Sequence, residues 1–120
     1  MKHKNIAVID DDEIYVFLTK RIVEKADLFE KVLVFKNGLE GLNFIKENLN
    51  NSVLLPELIL LDLSMPIMNG WQFLDEFMKL YPKNESNIKI CISTSSISPA
   101  DVERAKHISV VSNYIVKPIS

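Results

Sequence analysis

Four acidic residues, Asp10-Asp11-Asp12-Glu13, follow directly on the apolar run Ile6-Ala7-Val8-Ile9, and this junction constrains the chain more than any other segment. An apolar run of this length, rich in β-branched residues, reads as a buried strand. Carboxylates crowded at its C-terminal end repel one another, a folding cost that is relieved when something positive binds among them. In open α/β sheets, ligands collect at the carboxyl ends of the strands. Three further strand-like runs end in reactive groups. Leu58-Ile59-Leu60-Leu61 ends in Asp62, Ile88 to Ser93 ends in Thr94, and Tyr114-Ile115-Val116 ends in Lys117-Pro118. Acids, a hydroxyl and a lysine at four strand ends point to a magnesium and phosphoryl site.

Strand-like and helix-like segments alternate along the whole chain. Asn5 to Ile9 is expected as the first strand and Glu13 to about Lys25 as a helix, with Tyr15, Leu18 and Ile22 recurring on its inward face. Lys31 to Phe35 is the second strand. Asn37 then caps a helix, with Glu40 as the reciprocal partner of a capping box and Leu42, Ile45 and Leu49 along the apolar face. Pro56 ends the connection before the third strand. Asn69 caps a helix carrying Phe73, Leu74, Phe77 and Met78, which stops near Tyr81-Pro82. Ser98-Pro99-Ala100-Asp101 opens another, with Val102 and Ala105 inward. Alternation at this spacing implies an α/β fold, a doubly wound parallel sheet with helices on both faces joined by right-handed crossovers.

Bulk properties narrow the function classes. A chain of 120 residues forms one domain, here taken as residues 1–120, and buries roughly two-thirds of its extended surface. The net charge of −2 comes with no basic patch, which argues against direct nucleic-acid binding. Cys91 is the only cysteine and lies inside an apolar run, so it reads as a small buried hydrophobe rather than a redox group. No apolar stretch is long enough for a signal peptide or a membrane span, so the expected compartment is the cytoplasm.

The chemistry follows from the ligand types. Magnesium prefers oxygen ligands in an octahedron and keeps several waters, which carboxylates on neighbouring strand ends satisfy without His or Cys. His3 and His107 read as surface residues. A carboxylate beside the cation can act as a nucleophile toward phosphorus, since the cation offsets the repulsion between two anions. A lysine adds positive charge on the transferring oxygens, and a hydroxyl donates to them once they arrive.

These residues resemble the receiver domain of two-component response regulators, the family that includes the stand-alone chemotaxis receivers. The likeness runs from Ile6 to Ile119. Val8-Ile9-Asp10-Asp11 is similar to the family's first-strand motif and Leu60 to Gly70, reading LLDLSMPIMNG, to its phosphoacceptor motif. Thr94-Ser95 and Tyr114-Ile115-Val116-Lys117-Pro118 match the fourth- and fifth-strand motifs.

The resemblance implies a flavodoxin-like five-stranded sheet in the order 2-1-3-4-5 and a phosphorylation-controlled signalling switch rather than an enzyme. It implies Asp62 as phosphoacceptor, with Asp11 binding Mg2+ directly, Asp10 through water, and the Ser64 backbone carbonyl as a further ligand beside Asp62. Lys117 contacts the phosphoryl group, across a cis peptide to Pro118 that fixes its direction. Thr94 hydrogen-bonds the group and moves with Tyr114 as the switch. Asp12 and Glu13 match no required position and favour the first helix through its dipole. Ser64 and Ser96 occupy positions that tune the lifetime of the phosphoryl state, and their small size implies that water is not strongly excluded. The implied partners are a histidine kinase or histidine phosphotransfer protein and an unknown downstream protein. The first helix, apolar around more than half its circumference, offers Ile14 and Phe17 for partner docking. A fifth helix in such receivers begins just after the Lys-Pro pair. Here only Ile119 and Ser120 follow, so that helix is expected to be absent from this chain and supplied by a continuing polypeptide, or its gap covered by a partner chain.

Two other readings compete. Asp10 and Asp12 form an Asp-x-Asp pair after a strand, as in phosphatases of the haloacid dehalogenase type, but Glu13 is the wrong residue next and no room remains for a cap domain. A degenerate receiver acting only as a binding module differs by the chemical competence of Asp62. A flavin carrier of similar sheet order fails, because it needs a Ser/Thr/Gly loop where four acids stand.

Overall fold

All five residues of Asn5–Ile9 are buried, as a strand with neighbours on both sides and helices above and below requires. This is strand β1 of a computed structural model that describes residues 4–51, 53–81, 87–94, 98–108 and 110–116. The remaining elements are α1 (Glu13–Ala26), β2 (Val32–Phe35), α2 (Gly38–Glu47), β3 (Pro56–Leu61), α3 (Gly70–Leu80), β4 (Lys89–Thr94), α4 (Pro99–Lys106) and β5 (Val111–Val116). The strands form one parallel sheet in the order β2-β1-β3-β4-β5. The fold expected from the alternation and the resemblance is therefore the fold observed, with four helices among the described residues.

Strand parity splits the core in two. Ala7, Ile9, Ile59, Leu61, Ile90 and Ile92 point to the face covered by α2, α3 and α4, where Leu42, Ile45, Phe73, Leu74, Phe77 and Ala105 complete the larger cluster. Ile6, Val8, Leu60 and Cys91 point to the other face, beneath Val16 and Val23 of α1. Cys91 is buried there as expected, and burial raises its thiol pKa.

Local sequence sets the helix starts. Asn69 accepts from the Gln72 amide while Gln72 returns a bond to the Asn69 amide, a complete capping box. Ser98 and Asp101 form a second, with Pro99 at the first helical position. At α2, Asn37 accepts from the Glu40 amide, but Glu40 Oε1 takes the Lys36 amide at 3.1 Å instead of the Asn37 amide. The reciprocal half of the expected box is thus shifted by one residue.

Two inward assignments fail. Leu49 lies beyond the end of α2 and is exposed. On α1 the buried residues are Tyr15 and Thr19, whereas Leu18 and Ile22 are 51% and 42% exposed. Because α1 is apolar around most of its circumference, periodicity alone does not select which side meets the sheet. The seam runs through Tyr15, Val16, Thr19 and Val23, rotated away from Leu18 and Ile22.

Candidate metal and phosphoryl site

The register aligns Ile9 of β1 with Leu61 of β3, so Asp10 and Asp62 leave adjacent strands side by side. The Asp62 amide donates to the Ile9 carbonyl at 3.0 Å and the Asp10 amide to the Phe35 carbonyl at 3.0 Å, which carries the ladder one step past each strand end. Asp10 and Asp62 are buried and Asp11 is exposed, yet each offers a carboxylate oxygen within 4.8 Å of those of the other two. Three hard oxygen donors at this separation suit a divalent cation of the magnesium type. The backbone thus brings the carboxylates of Asp10, Asp11 and Asp62 together at the strand ends.

Asp12 is turned to another task. It is the N-cap of α1, its Oδ1 accepting from the Ile14 and Tyr15 amides at 3.1 Å each, while its own amide donates to Asp10 Oδ1 at 2.9 Å. Asp12 at the N-cap and Glu13 in the first turn both place negative charge at the start of α1, where the helix dipole favours it, and Asp12 adds direct capping. A phosphatase pair of Asp10 and Asp12 finds no support in this arrangement, because the second acid is consumed by the helix start.

Past Asp62 the chain makes a tight loop. The Ser64 amide lies 3.4 Å from Asp62 Oδ1, and Gly70, first residue of α3, donates to the Leu63 carbonyl at 3.0 Å. Within the loop Ile67 adopts a φ of 69°, a strained conformation for a β-branched residue, and its side chain is exposed. The Met68 carbonyl accepts from the Gly38 amide at 3.2 Å, which ties the loop to the start of α2. Sequence reading missed Gly70 as a determinant of the site, although its place eight residues after Asp62 and directly after a capping Asn was a signal.

Thr94 ends β4, buried, beside a shallow groove formed with Ser64, Met65, Asn69, Trp71 and Asp101. The Arg104 guanidinium sits 4.3 Å from the centre of the Trp71 ring and joins α4 to α3 at the edge of this groove. Parallel pairing sets Ile92 against Tyr114, and Tyr114 packs half-buried on the larger core cluster. By strand alternation Thr94 shares the Ile92 face, so Thr94 and Tyr114 lie on the same side of the sheet.

Ile14 and Phe17 are 74% and 58% exposed. An apolar groove runs from Phe17 and Val16 past Val34 and Pro66 toward Asp11. His107 caps α4 at the surface, 3.3 Å from Glu103. Lys117, Pro118, Ser96, Ile119, Ser120 and His3 lie outside the described residues. No described helix is long and apolar enough to cross a membrane.

Comparison with known proteins agrees with this geometry. A family model described as the response regulator receiver domain matches residues 6–120. The chemotaxis protein CheY of Thermotoga maritima is 30% identical over 115 residues, covering 96% of this chain and 86% of that protein. A protein-glutamate methylesterase/protein-glutamine glutaminase of Oceanobacillus iheyensis is 31% identical over 98% of this chain, but the chain spans only 31% of that protein. Among solved structures, a two-component response regulator from Cytophaga hutchinsonii superposes with a TM-score of 0.90 at 28% identity, covering all of this chain and 90% of its own.

Proposed function

Since the chain belongs to the response regulator receiver family, we propose that Asp62 accepts a phosphoryl group from the phosphohistidine of a partner kinase or histidine phosphotransfer protein. The observation that carries this reading is the convergence of Asp10, Asp11 and Asp62 within 4.8 Å at the strand ends. In the transfer, one Asp62 carboxylate oxygen forms the new O–P bond as the N–P bond of the donor breaks, and the imidazole nitrogen leaves with the electron pair. Asp11, Asp10, Asp62 and the Ser64 backbone carbonyl would hold Mg2+. That ion, when bound, supplies positive charge that offsets repulsion between the carboxylate and the phosphoryl oxygens. Thr94 donates its hydroxyl proton to a phosphoryl oxygen, and Lys117 adds a cationic contact.

Residues 1–120 act as one receiver domain whose altered surface is read by a downstream protein through contact. A cytoplasmic location goes with that role, and cell fractionation checks it. Incubation with acetyl phosphate, with and without Mg2+, followed by mass mapping, is the direct test. A metal-dependent acyl phosphate at Asp62 is expected. Label at Asp10 would favour the phosphatase reading, labelling indifferent to Mg2+ would remove the mechanism, and an inert Asp62 would leave a binding module.

Thr94 and Tyr114 form the switch in this reading. A hydrogen bond from Thr94 to a charged phosphoryl oxygen is worth about 1.5–3 kcal/mol, the size of a typical coupling energy between sites. Thr94→Ala is therefore expected to accept phosphate at Asp62 but to transmit it poorly to Tyr114. Amide spectra of the phosphorylated variant that change near Tyr114 as much as the parent's would end the idea. Ile14 and Phe17 are the proposed docking residues for the histidine-bearing partner. Phe17→Ala should slow transfer from that partner while labelling by acetyl phosphate stays as in the parent.

A further inference from the structure

Helix α1 is attached to the sheet by an unusual seam. Its large apolar residues Ile14, Phe17, Leu18 and Ile22 are exposed, and its two buried residues, Tyr15 and Thr19, both carry hydroxyls. The Tyr15 hydroxyl is hydrogen-bonded to the Ser93 hydroxyl, with both residues buried. Ser93 immediately precedes Thr94 on β4, and alternation sends the two side chains to opposite faces, Ser93 under α1 and Thr94 toward α3 and α4. At its other end the same helix is fastened to the acid cluster. The Asp12 amide bonds Asp10, and the Asp12 carboxylate accepts the Tyr15 amide.

A continuous path therefore joins Asp10, Asp12, Tyr15, Ser93 and Thr94. We propose that Tyr15 is a positioning residue, whose bond to Ser93 carries a displacement of Thr94 through the sheet to α1 and so resets the exposed Phe17, Leu18 and Ile22 surface. The physical reason is that Ser93 and Thr94 lie past Ile92, the last residue of β4 in register with β3, and pair with Ile115 and Val116 of β5, so a pull on Thr94 toward a phosphoryl group is passed to the residue bonded before it. Ser93 then either takes Tyr15 with it or abandons a buried hydrogen bond, which is the costlier course. The consequence is a second route out of the site, on the face opposite Tyr114. This inference rests on the acceptor reading of Asp62.

The experiment uses Mg2+ with beryllium trifluoride as phosphoryl mimic on the 120-residue protein, followed by amide spectra. Leu18 and Ile22 are the reporters on α1, because they lie one and two turns beyond the residues that touch the acids. In the parent, Thr94, Leu18 and Ile22 should shift together. In Tyr15→Phe, which keeps the ring and deletes only the hydroxyl, Thr94 should still shift while Leu18 and Ile22 lose at least half of their displacement. Ser93→Ala should reproduce this, and the double variant should lose no more than either single one. Full displacement of Leu18 and Ile22 in both single variants overturns the link alone. A parent in which Thr94 does not respond overturns the acceptor reading and the link with it.

Discussion

Asp11→Ala is expected to abolish magnesium binding while leaving the metal-free protein at least as stable as the parent. Asp12→Ala should do the reverse. The two neighbours look alike in sequence, but the structure gives them different work. Asp11 is exposed and contributes an oxygen to the three-carboxylate cluster, where its charge adds to the repulsion around Asp10 and Asp62. On the proposed assignment, removing it deletes a direct cation ligand and relieves that repulsion. Asp12 accepts two amides at the start of α1 and stands outside the cluster, so its loss should cost about 1 kcal/mol, within the usual 0.5–2 for a lost cap. Magnesium titration followed by Trp71 fluorescence or calorimetry gives the affinities, and urea unfolding without metal gives the stabilities. Equal losses of affinity in the two variants would sink the ligand assignment. An Asp11→Ala protein less stable than its parent would contradict the repulsion argument.

This pair also shows what the sequence made legible. That acids cluster after β1 could be read directly, because an apolar run followed by four carboxylates admits few other structures. Which of the four face the cluster could not be read from composition. It depends on where the helix begins, and a capping Asp is indistinguishable from a ligating Asp until the turn is built. Family resemblance separated them, and the hydrogen bonds of Asp12 give the physical cause. The face of α1 was misread for a related reason. Tyr15 does face inward, but the helix is apolar on so many sides that Leu18 and Ile22 compete with Val16 and Val23 for the seam, and Thr19 carries no apolar signal at all. Thr19 is nonetheless among the most buried residues of the protein, and no single-helix pattern would have found it. Helix α3 is legible at both ends, from the Asn69 cap to the stop at Tyr81, and α4 at its start, where Ser98 caps and Pro99 follows.

Gly70→Ala should unfold at markedly lower denaturant than the parent and should also impair the acceptor. A Cβ at this position would stand 2.6 Å from the Asp62 carbonyl oxygen and 2.8 Å from Leu63 Cα, both backbone atoms at the end of β3. Neither can rotate away, so α3 must move off the sheet or the acceptor segment must shift. Overpacking of this kind costs about 1–3 kcal/mol, and the gain in helix propensity from Gly to Ala, about 1 kcal/mol in a helix interior, offsets only part of it at a first helical position. Gly41→Ala is the control. Its Cβ would come as close as 2.6 Å, but to the tip of the Ile9 side chain, which can change rotamer, and it lies inside α2, where alanine is favoured. Urea midpoints should fall clearly for Gly70→Ala and change little for Gly41→Ala. Acetyl phosphate labelling at Asp62, measured well below the unfolding transition, should slow only in the first. If both variants unfold at the parent's midpoint, the close approach of α3 to the acceptor loop is not a constraint on the fold. If Gly70→Ala is destabilised but labels at the parent's rate, the contact stabilises the domain without setting the position of Asp62.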